Sequence, residues 1–103
     1  MNQGLIPSRY AKALFEYASE KGADARIYEL MHTLDNSFVA EPSLQQAVAN
    51  PFIPAPDKVK LLTSAAGATA KDEVYARFLQ LLTENNRLDA ARDIALALSL
   101  IHI

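Results

Sequence analysis

The amino-acid sequence predicts an all-α fold, a compact bundle of six helices. Alanine and leucine dominate the chain, apolar residues recur at helical spacing, and the alternating β-branched pattern of strands is nearly absent. The chain has 103 residues, enough for one small domain, and 50% of them are hydrophobic, enough for a core. We therefore expect residues 1–103 to form a single helical domain.

Proline, glycine and asparagine residues predict where the helices begin and end. The six helices are expected at about 8–21, 24–40, 43–49, 56–67 and 71–85, and from about 89 to the end of the chain. Pro7 and Pro56 fall near helix starts, where a missing backbone N–H costs no hydrogen bond. Gly22 and Gly67 favour helix ends, and Asn86 is a candidate for the left-handed residue that ends the fifth helix.

Helix caps and one loop give two further expectations. The residues that could cap a helix N-terminus with their side chains are Asp24, Ser43 and Asp89. The segment NPFIPAP between the third and fourth helices carries three prolines and cannot form regular structure. We expect its two large apolar residues, Phe52 and Ile53, to reach from the loop into the core.

The first helix, which contains RYAKALFEYA, carries more apolar residues than one buried face requires. One set, expected to face inward, comprises Ala11, Phe15 and Ala18. The adjacent set comprises Tyr10, Ala13, Leu14 and Tyr17, with Leu14 at the seam between the two. Together they cover roughly 200° of the helical wheel, whereas a surface helix needs an apolar stripe of about 100°.

The fifth helix shows a similar excess, over an arc of roughly 160°. Its apolar residues are Val74, Phe78 and Leu81, with Tyr75, Leu79 and Leu82 beside them. Two interpretations stay open. Either both helices are central and pack on several neighbours, or they border a groove that an amphipathic helix from a partner fills. Tyrosines favour the groove, because the polar tip of the ring tolerates a wet rim.

The sequence carries no constellation of residues for catalysis or for binding a metal or cofactor. It has no cysteine, and His32 and His102 lack metal-ligand spacing to each other or to carboxylates. Its three glycines form no phosphate-binding loop, and no serine stands in a nucleophile-elbow motif. A net charge of −2 gives no basic footprint for nucleic acid. We therefore predict a chain that is not an enzyme and binds no cofactor, metal or nucleic acid.

No segment of the sequence predicts direct insertion into a membrane. The longest apolar run, IALALSLIHI, is interrupted by Ser99 and His102. It falls short of the roughly 20 residues that cross a bilayer. The start, MNQGLIPSR, lacks the features of a signal peptide and is too short for a transit peptide. A soluble, intracellular domain is expected.

Two motifs together resemble a known family. RYAKALFEYA, followed some 60 residues later by FLQLLTENNRLDAARDI, is similar to the N-terminal domain of the ATP synthase delta subunit family. The mitochondrial member of that family is the oligomycin-sensitivity-conferring protein. The residues that match the first motif are Tyr10, Ala11, Ala13, Leu14, Phe15 and Ala18. Those that match the second are Phe78, Leu82, Glu84, Asn85, Arg87, Leu88 and Ile94.

The resemblance implies a six-helix bundle and a non-catalytic stator component of proton-translocating ATP synthase. It implies that the N-terminal helix of an alpha subunit, on top of the catalytic head, binds in a groove between the first and fifth helices. Carried over by position, the groove residues are Tyr10, Ala13, Leu14, Tyr17, Arg77, Phe78 and Leu81. The resemblance also implies a location at the cytoplasmic face of the bacterial inner membrane, as a peripheral part of the complex.

Family members run well beyond 103 residues, which leads us to expect that the chain is an N-terminal fragment. The region that joins the b subunits of the peripheral stalk would then be missing from it. The alternative is a generic helical protein–protein interaction module that binds another amphipathic helix or forms a dimer through the same surfaces.

Overall fold

Six α-helices account for most of residues 5–101, which are the residues that the computed structural model describes. They are α1 (Leu5–Glu20), α2 (Asp24–Ala40), α3 (Ser43–Ala49), α4 (Ala55–Ala66), α5 (Glu73–Glu84) and α6 (Ala91–Ile101). A single 3₁₀ turn, Leu88–Ala90, precedes α6, and no strand occurs within this range. The predicted all-α, six-helix fold is confirmed.

The helix starts differ from the predicted ones in detail. Helix α1 already includes Leu5, so that Pro7 lies inside its first turn, where a missing N–H is tolerated. Helix α6 begins after the 3₁₀ turn instead of at Asp89. The predicted extension of this helix to the chain end includes residues 102 and 103, which lie outside the described residues.

The predicted side-chain caps are wrong. Asp24 is the first residue of α2, and the capping position before it is occupied by Ala23. Ser43 is likewise the first residue of α3, and its hydroxyl donates to the Glu41 carboxylate at 3.0 Å instead of accepting a backbone N–H. Asp89 lies within the 3₁₀ turn. Each polar residue stands one or two positions past the place where its oxygen could reach the orphan N–H groups.

Three helices end in the same backbone motif, as the glycine and asparagine positions predicted. Gly22, Gly67 and Asn86 have φ angles of 69°, 71° and 57°, in the left-handed region. After α5, the N–H of Arg87 donates to the Leu82 carbonyl at 2.8 Å and the N–H of Asn86 donates to the Thr83 carbonyl. The same pair of bonds follows α1 and α4. The left-handed residue therefore satisfies carbonyl groups that the last helical turn leaves free.

All six helices contribute to one buried cluster. Helix α1 lies against α6 over a longer stretch than against α2 or α5. Small residues are buried on both helices, Ala11 and Ala18 on α1 and Ala91 and Ala95 on α6. On α5, Tyr75 is buried and its hydroxyl donates to the Leu62 carbonyl at 2.7 Å, which satisfies the one polar atom of that ring.

The prediction that Phe52 reaches from the loop into the core was wrong. Its side chain is 91% exposed, and Ile53 is half-buried. A turn fixes the loop, because the side-chain oxygen of Asn50 accepts the backbone N–H of Phe52 at 2.9 Å. Val48 and Leu62 on the flanking helices are fully buried, so helical residues already fill the core there.

Asn86 offers a test of the helix-ending motif. Asn86→Val should lower the free energy of unfolding by about 1–2 kcal/mol, because a β-branched residue is strained at positive φ. Asn86→Gly should be neutral or stabilising. Urea denaturation measures both variants, with Asn36→Val on the exposed side of α2 as the control. Valine and asparagine have similar helix propensities, so equal losses at positions 36 and 86 would contradict the motif.

Candidate functional site

The two apolar sets on α1 point in different directions. Ala11 and Ala18 have no exposed surface and Phe15 packs against the core, as the helical wheel predicted. In the adjacent set Tyr17 is 36% exposed, Ala13 is exposed and Tyr10 is half-buried. Leu14 is only 5% exposed and lies between the two sets. One side of α1 therefore belongs to the core, and the adjacent side remains open.

Helix α5 divides in the same way. Tyr75, Leu79 and Leu82 are buried in the core. Phe78 is 4% exposed, whereas Leu81, less than one turn further along, is 36% exposed. Each helix thus packs on several neighbours and still keeps apolar surface outside the core, and the filling of that surface by a partner helix stays a prediction.

The open sides of α1 and α5 form a groove of about 310 Å³. The residues that line it are Tyr10, Ala13, Leu14, Tyr17, Arg77, Phe78 and Leu81. The structure thus brings together all seven residues that the resemblance pointed to. Their role in binding a partner stays a prediction.

The two helices that border the groove run antiparallel. At one end, the Asn85 side-chain amide donates to the Tyr10 hydroxyl at 2.9 Å. At the other end, Tyr17 and Val74 line a common pocket. Buried Leu14 and Phe78 form the floor, and the more exposed side chains form the rims. Arg77 supplies the one charge among the lining residues, so the groove suits an apolar ligand and carries a positive rim.

A polar pocket of about 360 Å³ lies beyond Tyr17, between the end of α1, the start of α2 and the start of α5. Inside it, the Arg26 guanidinium donates two hydrogen bonds to the Asp72 carboxylate, at 2.9 and 3.1 Å. Arg26 also pairs with Glu29. Asp72 accepts a further bond from the backbone N–H of Thr69 at 2.8 Å, which orders the connection that leads into α5.

These contacts change the acidity of the pair. Hydrogen bonds from Arg26, and then from the Thr69 backbone, lower the pKa of Asp72 from 3.8 to about 2. The same carboxylate raises the pKa of Arg26. Sequence reasoning missed this pocket, because its residues come from two segments, 17–30 and 71–75, that are far apart in the chain, and no spacing links them.

The described residues show no arrangement for metal binding or membrane insertion. Within 5–101, no three side chains of His, Cys, Asp or Glu come together in a way that could hold a metal ion. None of the helices in that range is long and apolar enough to cross a bilayer. His32 is exposed and stacks on Tyr28, with 6.5 Å between the ring centroids. His102 lies outside the described residues.

Comparison with known proteins identifies the family. A family model described as ATP synthase delta (OSCP) subunit matches residues 6–101. The chain belongs to this family. Its subunits are structural, non-catalytic parts of ATP synthase.

Relatives named ATP synthase subunit delta come from several bacteria. The chain is 47% identical to the one from Parabacteroides distasonis, over 84% of this chain and 48% of the relative. It is 39% identical to that of Bacteroides thetaiotaomicron, over 84% of this chain and 47% of the relative. It is 40% identical to that of Dechloromonas aromatica, over 87% of this chain and 49% of the relative. The chain thus spans about half the length of these relatives. No solved structure matches it significantly.

The Arg26–Asp72 pair predicts acid sensitivity. Because folding lowers the pKa of Asp72, its ionised form stabilises the fold above about pH 4, and this contribution disappears as the pH falls towards 2. Asp72→Asn should therefore reduce stability at neutral pH and flatten its decline between about pH 4 and 2. Urea denaturation over that range measures the stability of this variant, with Asp57→Asn at an exposed position of α4 as the control. An unchanged acid dependence in Asp72→Asn would contradict the assignment.

The floor and rim of the groove should respond differently to truncation. Phe78→Ala should cost about 3 kcal/mol of stability, because it opens a cavity under the groove. Leu81→Ala should cost about 1 kcal/mol or less, since much of this side chain already contacts water. Thermal and urea unfolding compare the two variants. Equal losses of stability in the two variants would contradict the assignment of Phe78 to the core and of Leu81 to the rim.

Proposed function

We propose that this chain is the part of an ATP synthase delta subunit that binds the N-terminal helix of an alpha subunit in the groove between α1 and α5. One observation carries the proposal. In a chain of the delta family, the seven residues expected to contact that helix line one open groove. The chain contributes no catalytic group in this role. It acts by holding another protein.

The surface of the groove suits an amphipathic helix. Leu14 and Phe78 give an apolar floor, and Tyr17 and Leu81 are each 36% exposed at its rims. A helix with apolar residues three and four positions apart could cover these side chains along one face. The exposed Ala13 leaves space between the two tyrosines of α1, so that a larger apolar side chain could be accommodated there.

In the assembled synthase, the proposed role is mechanical. The bound helix would attach this domain to the top of the catalytic head. The half of the subunit that its relatives carry beyond the matched region would join the b subunits of the peripheral stalk. Such a stator resists the torque that the rotor applies to the head. It would work at the cytoplasmic face of the bacterial inner membrane, as a peripheral component.

Titration with a synthetic peptide that covers the N-terminal helix of the alpha subunit tests the proposal. Ala13→Asp should weaken binding at least tenfold, because it places an unpaired charge in an apolar groove. The same change should cost less than about 1 kcal/mol of stability, since position 13 is exposed in the free chain. Isothermal titration calorimetry and thermal unfolding measure the two effects.

The matched control is Thr33→Asp, which adds the same charge to an exposed position of α2 that does not line the groove. It should bind the peptide like the unsubstituted chain. A folded chain that does not bind the peptide at micromolar concentration would overturn the proposal. A stable homodimer in sedimentation, with α1 and α5 buried between the copies, would favour the generic interaction module instead.

A further inference from the structure

A second cavity adjoins the groove at Tyr17. Tyr17 lines both the apolar groove and the polar pocket beyond it, so the two cavities are adjacent. From Tyr10 to Tyr17 the groove follows α1 over seven helical steps, or about 10 Å. A bound helix that covers this distance and continues in the same direction brings its next turn over the polar pocket.

Within residues 5–101, two cations of that pocket have no carboxylate partner. Arg26 is bound to Asp72 and Glu29. The Lys21 ammonium lies 5.7 Å from the centroid of the Tyr17 ring, where it makes a cation–π contact. Across residues 5–101, neither Lys21 nor Lys71 forms an ion pair, although both line the pocket.

The charge around the groove is opposite to the charge of the chain as a whole. The cations that line the groove and the pocket are Lys21, Arg26, Lys71 and Arg77. The carboxylates are Asp72 and Glu73, and Asp72 is already paired with Arg26. This surface is therefore net positive, whereas the chain has a net charge of −2. Complementarity favours a partner that brings negative charge to this end of the groove.

We propose that the helix bound in the groove carries an acidic side chain about one turn beyond its last apolar contact, and that this carboxylate binds Lys21 and Lys71 in the polar pocket. The inference rests on the proposed function and names a feature of the partner that the apolar groove alone does not require. Apolar contacts tolerate a shift of the helix by one turn, whereas a single carboxylate at one end does not. The two lysines thus set the register and direction of the bound helix.

The test uses the alpha-subunit peptide described above and versions in which each Asp or Glu is replaced in turn by Asn or Gln. Only the replacement that removes the carboxylate bound to the two lysines should weaken binding. The expected loss is about fivefold, the upper range for an exposed ion pair. Lys21→Glu and Lys71→Glu should each weaken binding by at least the same factor, and more at low salt. Against the peptide that lacks the critical carboxylate, the lysine substitutions should have no further effect.

Lys60→Glu on α4 is the matched control, because it reverses an exposed lysine that lines neither cavity. If a charge reversal unfolds the chain, Lys21→Met and Lys71→Met repeat the test with the aliphatic stem retained. Peptide binding that is equally strong in the Lys21, Lys71 and Lys60 variants would overturn this inference and leave the proposed function intact. Failure of the unsubstituted chain to bind the peptide would overturn both.

Discussion

The packing of α1 against α6 is the contact on which the rest of the structure depends. Both helices bury small side chains, Ala11 and Ala18 on α1 and Ala91 and Ala95 on α6. Alanine allows two helices to approach closely, so one narrow side of α1 is enough to anchor it. The remaining apolar side of α1 is then free to face another protein without any loss to the core.

The apolar groove and the charged pocket follow from this arrangement. Helix α1 meets α5 only over a short stretch, and the space left between them is the groove. At its far end the Arg26–Asp72 pair holds the connection before α5 against the start of α2. Asp72 is neutralised by Arg26, and within residues 5–101 the neighbouring lysines form no ion pair, so this end of the groove is positively charged.

The sequence allowed the fold class and the helix ends to be predicted, because both depend on local chemistry. Helical periodicity is visible in any window, and a left-handed position favours Gly or Asn wherever the rest of the chain lies. Six of the seven groove residues could be named because a helical wheel and a family resemblance agree on them, whereas Arg77 came from the resemblance alone. Phe52 was assigned wrongly to the core, since hydrophobicity alone does not reveal whether a turn directs a loop side chain inward or towards solvent. The charged pocket could not be foreseen, because it exists only once Lys21, Arg26 and Lys71 are brought together by the fold.

The limited contact between α1 and α5 has a consequence for the architecture of the proposed complex. In the free chain each of these helices is held by the core behind it, and only a few interactions, such as the bond from Asn85 to Tyr10, join the two directly. A helix seated between them would contact both along its length and would become, in structural terms, the seventh member of the bundle. The attachment to the head would then have the character of a domain interior, so that separating the two proteins would resemble removing a helix from a folded protein.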